Sequence, residues 1–73
     1  MQGYDYRRIK RIVELLRDGP RAMKELWTLT GWQYITLRRY IKFMEQEGLV
    51  RVRLVGRGRT RRLEIELVKR KVL

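Results

Sequence analysis

Cysteine, histidine, serine and asparagine are all absent from this chain of 73 residues, which holds one proline and one phenylalanine. Without cysteine there are no disulfides, no thiol chemistry and none of the usual zinc sites. Without histidine the commonest general base at neutral pH is missing. Serine nucleophiles are missing too, and no glycine-rich loop leads into a helix as a phosphate-binding loop does. The acids offer no substitute: Glu45 and Glu47 stand two apart and so do not share a helix face. Catalysis is therefore not expected, nor is a metal, a cofactor or a small-molecule ligand. Long apolar runs are also lacking. With Met1 at its start, the chain shows neither a signal peptide nor a membrane-spanning helix, and a cytoplasmic location is expected. The lack of Asn and Cys beside many Arg and Glu hints at a thermophilic or archaeal source.

Positive charge is what the chain has in excess. Nineteen Lys and Arg face eight Asp and Glu, a formal net charge of +11. Self-repulsion on that scale works against a compact state, so the charge implies a purpose. A polyanion such as DNA or RNA is the first candidate partner, and an anionic membrane surface the second. Hydrophobic residues at 44% supply enough core material for one small domain spanning 1–73.

Asp5 is placed to cap a first helix, about residues 5–18, in which Ile9, Ile12, Val13 and Leu16 recur at i, i+3, i+4, i+7. Arg7, Arg8, Lys10, Arg11 and Arg17 occupy much of its other side, and Gly19-Pro20 stops it. A second helix is expected over about 22–29 with Met23 and Leu26 inward, broken at Thr30-Gly31. A third, about 33–47, ends at Gly48. It carries Leu37, Ile41 and Met44 on one face with Tyr40 alongside, and Ile35, Arg38, Arg39 and Lys42 on the exposed face. At helical spacing, Trp27, Trp32, Tyr40 and Phe43 read as core rather than as stacking platforms for single-stranded bases. Tyr4 and Tyr6 are candidates for a dimer contact.

From Val50 the period changes to alternation. Pairing Leu54 with Leu63, Val52 with Ile65 and Val50 with Leu67 puts the apolar residues of two strands on one face. The same register sets Arg53 opposite Glu64 and Arg51 opposite Glu66. It leaves Gly58-Arg59 as a two-residue type II′ loop. Six arginines and no acid lie between Val50 and Leu63. Arg57, Arg59, Arg61 and Arg62 have no opposite charge across the hairpin, and residues 68–73 form a basic tail expected to fray.

The order helix, short helix, glycine turn, longer helix, hairpin resembles the winged helix-turn-helix superfamily, in particular its compact bacterial and archaeal repressor-type domains. The resemblance is carried by "KELWTLTGWQYITLRRYIKFMEQEGLV", residues 24–50, with Gly31 in the turn, Leu37 as the buried aliphatic six residues later, and Gly48-Leu49-Val50 as the exit into the wing. With the first helix and the hairpin it covers about 5–67. One departure is Trp27, where the family usually has a small residue. Either the crossing of the second and third helices is opened there or the indole points sideways.

The resemblance implies an α+β winged helix: a three-helix helix-turn-helix core followed by a β-hairpin wing. It implies that the third helix enters the DNA major groove, which places base- and backbone-facing sites at Gln33, Tyr34, Ile35, Arg38, Arg39 and Lys42. Arginine can bond guanine O6 and N7, and glutamine adenine N6 and N7. Ile35 can pack on a thymine methyl, while Thr36 and Lys42 suit phosphates. Arg57, Arg59, Arg61 and Arg62 of the wing then hold the backbone and the adjacent minor groove. The function expected is sequence-specific binding of double-stranded DNA by a nucleoid-associated transcription regulator. The alternatives are an architectural, chromatin-like protein that coats DNA and a winged-helix protein-interaction module. A homodimer is open, and would use the first helix, Phe43 or the tail.

Overall fold

Asp5 has an extended backbone, and its carboxylate accepts the Arg7 amide at 2.9 Å. Helix α1 (Tyr6–Leu16) accordingly starts one residue later in the computed structural model, which describes residues 3–68. The helix ends short of the expected position 18, because the chain turns at Gly19, whose amide reaches back to the Leu16 carbonyl. The last carbonyls of a helix lack partners along the helix. That of Leu15 receives the Arg21 Nε–H, and Nη1 of the same guanidinium lies 2.6 Å from Glu25.

Arg21 and Ala22 run extended as a short strand, β1 (Arg21–Ala22), which sequence periodicity does not announce. Helix α2 (Met23–Thr30) follows at once and closes on Gly31 in the left-handed region. Helix α3 (Tyr34–Gln46) begins after Gln33. It ends in a Schellman motif: the Leu49 amide bonds Met44 O at 2.8 Å and the Gly48 amide bonds Glu45 O at 3.0 Å. Gly48 has a φ of 76°, a conformation that favours glycine.

Strands β2 (Val50–Val55) and β3 (Arg62–Leu67) pair in the register expected from alternation, with Val50↔Leu67, Val52↔Ile65 and Leu54↔Leu63, and with Val55↔Arg62 as a further pair. Arg53 reaches Glu64 at 3.4 Å and Arg51 reaches Glu66 at 3.9 Å. Exposed pairs of this kind are worth about 0–1 kcal/mol, so they support the register more than the stability. The sheet order is β1-β3-β2, all antiparallel, with β3 in the middle. Among the described residues the molecule is therefore an α+β domain of three α-helices and a three-stranded antiparallel sheet.

One core joins the layers: Ile12 and Leu16 of α1, Met23 and Leu26 of α2, Leu37, Tyr40, Ile41 and Met44 of α3, and Val50 and Ile65 of the sheet. The Tyr40 hydroxyl, at the edge of this core, accepts the Asp5 amide at 2.8 Å. Of the four aromatics expected inside, Tyr40 is buried and Trp32 and Phe43 are half-buried, but Trp27 is 43% exposed. Tyr4 stacks on Phe43 with centroids 4.1 Å apart, so it covers this chain's own core. The apolar face of the hairpin is graded, since Leu54 is exposed while Val50 and Ile65 are buried. Val68, expected in the fraying tail, donates its amide to Leu49 O at 3.0 Å; the rest of that tail, 69–73, lies outside the described residues. Among the described residues no helix is long and apolar enough to cross a membrane.

Ile65 is fully buried in the central strand. Ile65→Ala should cost about 2–5 kcal/mol in urea unfolding, against less than about 0.5 kcal/mol for Leu54→Ala. Equal costs would contradict the graded face. The Asp5 carboxyl is held below its ordinary value, first by the Arg7 amide and then by the Arg7 guanidinium and the charge of Arg8. A depressed carboxyl contributes stability above its unfolded pKa and loses it as pH falls through the folded one. The melting deficit of Asp5→Ala should therefore be full at pH 7 and shrink below about pH 4, near the unperturbed value of an aspartate. A constant deficit down to about pH 2 would exclude the ionised cap.

Candidate nucleic-acid interface

The turn between α2 and α3 is short, and aromatic side chains brace it. The Trp27 indole N–H donates to Trp32 O at 2.9 Å, and its ring meets Tyr34 edge-on at 5.4 Å. The indole thus points sideways over the start of α3 instead of between the helices, which resolves how a large residue fits at this position. Trp32 in turn lies 5.9 Å from Tyr40.

At the α3 N-cap and on α3 itself, Gln33, Tyr34, Ile35, Arg38, Arg39 and Lys42 are all exposed, and Thr36 is half-buried. Ile35 keeps 68% of its surface in solvent. The Arg38 guanidinium sits 5.8 Å from the Tyr34 ring, within the range of a cation–π contact. Tyr34, Ile35, Arg38, Arg39 and Lys42 line one groove of about 540 Å³ with Val52 and Leu63 of the sheet. Glu45, one turn beyond Lys42, brings the groove's one carboxylate. Thr36 lies apart from this group, in a smaller basin on the flank that faces α1. Gln33 lines neither.

The hairpin end differs from the expected type II′ loop. Gly58 and Arg59 do occupy the centre of a turn, with the Thr60 amide bonded to Arg57 O at 2.9 Å. However, the turn is a single 3-10 segment (Gly58–Thr60), and the ladder stops at Val55↔Arg62, so residues 56–61 form the connection. The cause is Thr60. Its hydroxyl accepts the Arg57 amide at 3.0 Å and donates to Arg57 O at 2.7 Å, replacing the ladder bonds that a tight hairpin would make. Gly56 completes the bend at a φ of 91°, with the Thr60 carbonyl folded over it.

Arg57, Arg59, Arg61 and Arg62 are all exposed, and none forms an ion pair among the described residues. Val55, where the ladder ends, is three residues beyond Val52 of the groove, or about 10 Å at the rise of a strand. The α3 cations therefore line the groove, while the loop arginines stand farther along the hairpin, outside its lining. By sequence Arg8 falls on the side of the first helix away from the apolar stripe and joins neither set. The structure places it over Trp32 and Tyr40, at 5.2 and 5.8 Å from the ring centroids. The available signal was its position four residues before Ile12, on the edge of the core stripe.

Among the described residues no three His, Cys, Asp or Glu side chains gather where they could hold a metal ion. Comparison of the chain with protein-family models, curated proteins and solved structures finds no match.

A Cβ added at Gly56 would collide with the Thr60 carbonyl, whereas one at Gly58 would meet nothing within 4 Å. Both glycines have positive φ, which costs a side chain about 1–2 kcal/mol. Gly56→Ala should therefore destabilise by more than Gly58→Ala and displace the Val55 and Arg62 resonances in NMR spectra. The opposite ranking would mean that Thr60 does not shape the loop.

Proposed function

We propose that this chain is a winged helix-turn-helix protein that binds double-stranded DNA, with α3 in the major groove and the β2–β3 hairpin as the wing. One observation carries the reading: Arg38, Arg39 and Lys42 of α3 line a groove walled by Val52 and Leu63 of the hairpin, and the four arginines of the hairpin's far end have no ion-pair partner among the described residues, whereas Arg51 and Arg53 are matched by glutamates. In this reading Arg38 and Arg39 read guanine edges, Gln33 an adenine, and Ile35 a thymine methyl. Lys42 and Thr36 meet phosphates, and Arg57, Arg59, Arg61 and Arg62 grip the backbone and the minor groove. Base readout makes the protein a sequence-specific transcription regulator located with the nucleoid. A homodimer would pair through α1 or the tail rather than Phe43, since Tyr4 covers Phe43.

A second reading has its own observation. Arg7, Lys10, Arg11 and Arg17 leave α1 positively charged on its exposed side as well, which suits a protein that coats DNA with little sequence preference.

Selection of duplexes from a random pool, followed by titration of a selected and a random duplex, separates these readings. A gap of about 10³-fold or more supports the regulator and near-equal affinity the coating protein. With about six to ten phosphates neutralised, affinity should fall on the order of 10³–10⁵-fold between 50 and 200 mM salt. Arg39→Ala should relax preference at one base pair by about 1–3 kcal/mol, and Arg59→Ala should weaken all sequences alike. Binding of no duplex at low salt would refute both readings and return the protein-interaction module.

A further inference from the structure

An α-helix is about 10–12 Å across and the major groove about 12 Å wide, so a helix seated there has a phosphate backbone along each flank. The hairpin serves one flank of α3. On the other, between α3 and α1, lies a basin of about 210 Å³ lined by Gly3, Tyr4, Arg8, Thr36, Arg39 and Tyr40. None of these is acidic, and two are arginines. Asp5, the nearby acid on the same chain segment, gives its carboxylate to the amide and guanidinium of Arg7. Neither Arg8 nor Arg39 forms an ion pair among the described residues.

Two like charges facing one cavity repel each other and call for an anion. The basin is also built in advance. Arg8 is half-buried, with its guanidinium held against Trp32 and Tyr40, and the Tyr40 hydroxyl is fixed by the Asp5 amide. A guanidinium restrained in this way keeps parallel N–H donors of the kind that match two phosphate oxygens. Thr36, with its hydroxyl as a neutral donor, lines the basin from the α3 side.

We propose that the Arg8–Thr36–Arg39 basin is a phosphate site, which holds one backbone phosphodiester of the duplex on the α1 flank of α3. The proposal rests on the duplex reading above and adds Arg8, with Trp32 as its support, to the contacts. Arg39 lines both the basin and the larger groove, so it adds positive charge to the basin's rim while its guanidinium is kept for the base edge, and the direct donors to the phosphate are Arg8 and Thr36.

The test uses the whole chain with two probes, a duplex of about 20 base pairs and inorganic phosphate. Arg8→Gln should weaken random and selected duplexes alike, roughly tenfold, and reduce the slope of log K against log salt by about one. Arg8→Lys should keep the slope but recover only part of the affinity, because the charge remains and the stacked plane is lost. Thr36→Val, which removes no charge and leaves the Arg8 stack in place, should weaken binding a few-fold with the slope unchanged. If Arg8→Gln lowers only the melting temperature, and it and Thr36→Val bind as the unsubstituted protein does, the proposal falls and the duplex reading stands. If no duplex binds, the duplex reading falls. Phosphate shifts of the Arg8 Nε–H and Trp32 indole resonances would then keep the basin as a small-anion site, and their absence would overturn it as well.

Discussion

The middle strand fixes the geometry of the molecule. Ile65 is paired with Val52 on one side and with Arg21 on the other, and its own side chain is fully buried. Through β1, the end of α1 and the start of α2 are bonded directly to the hairpin, and Arg21 secures the junction by binding Leu15 O and Glu25. The helices and the hairpin are thus one body. A slip of one residue in β3 would expose Ile65 and turn Glu64 and Glu66 inward, and the groove between α3 and Val52–Leu63 would lose its wall.

That rigidity has to hold against a net charge of +11, and the distribution of acids shows how. Asp5, Glu25, Glu64 and Glu66 each meet an arginine that has a structural position: Arg7 at the helix start, Arg21 at the junction, Arg53 and Arg51 in the ladder. The two longest stretches without an acid are 26–44 and 48–63. These are the segments that supply the outer face of α3 and the loop. Repulsion within each is confined to exposed side chains, where ions screen it over about 10 Å at 0.1 M salt. The core residues carry none of it.

Much of this was legible because side-chain period reports burial directly. Leu37, Ile41 and Met44 at helical spacing, and Val50, Val52, Ile65 and Leu67 at alternating spacing, identify the inner faces without reference to any partner. The hairpin register followed because three apolar pairs and two charge pairs agree. The unread features depend on single long-range or side-chain bonds. Strand β1 is two residues long, too short for a period, and exists because β3 lies beside it. The loop departs from the type II′ form through one hydroxyl, that of Thr60. Trp27 was ambiguous because hydrophobicity says that a ring seeks cover and not from which neighbour; it finds cover sideways, on Tyr34 and the Trp32 carbonyl. For the candidate site, exposure of Arg38, Arg39 and Lys42 followed from the helix wheel, but the placement of Arg8 over aromatic rings did not.

The aromatic residues around the α3 start are more informative as supports than as surfaces. Tyr34 has the Arg38 guanidinium near its ring, and Trp32 has that of Arg8. Each arginine carries about 2 kcal/mol of side-chain rotamer entropy, much of which is lost when it is ordered on a partner. A ring that already restrains the guanidinium moves part of that loss into folding, so less remains to be lost on binding. The contact itself contributes only about 0.5–1 kcal/mol at an exposed site, so the gain lies in orientation more than in stability. A surface meant to stack splayed bases would leave these rings open. Here guanidinium groups take positions against two of them, on either side of the exposed face of α3. Under the proposed function these restrained groups would meet a phosphate (Arg8) and a base edge (Arg38) already oriented, whereas unoccupied rings would suit the stacked bases of a single strand.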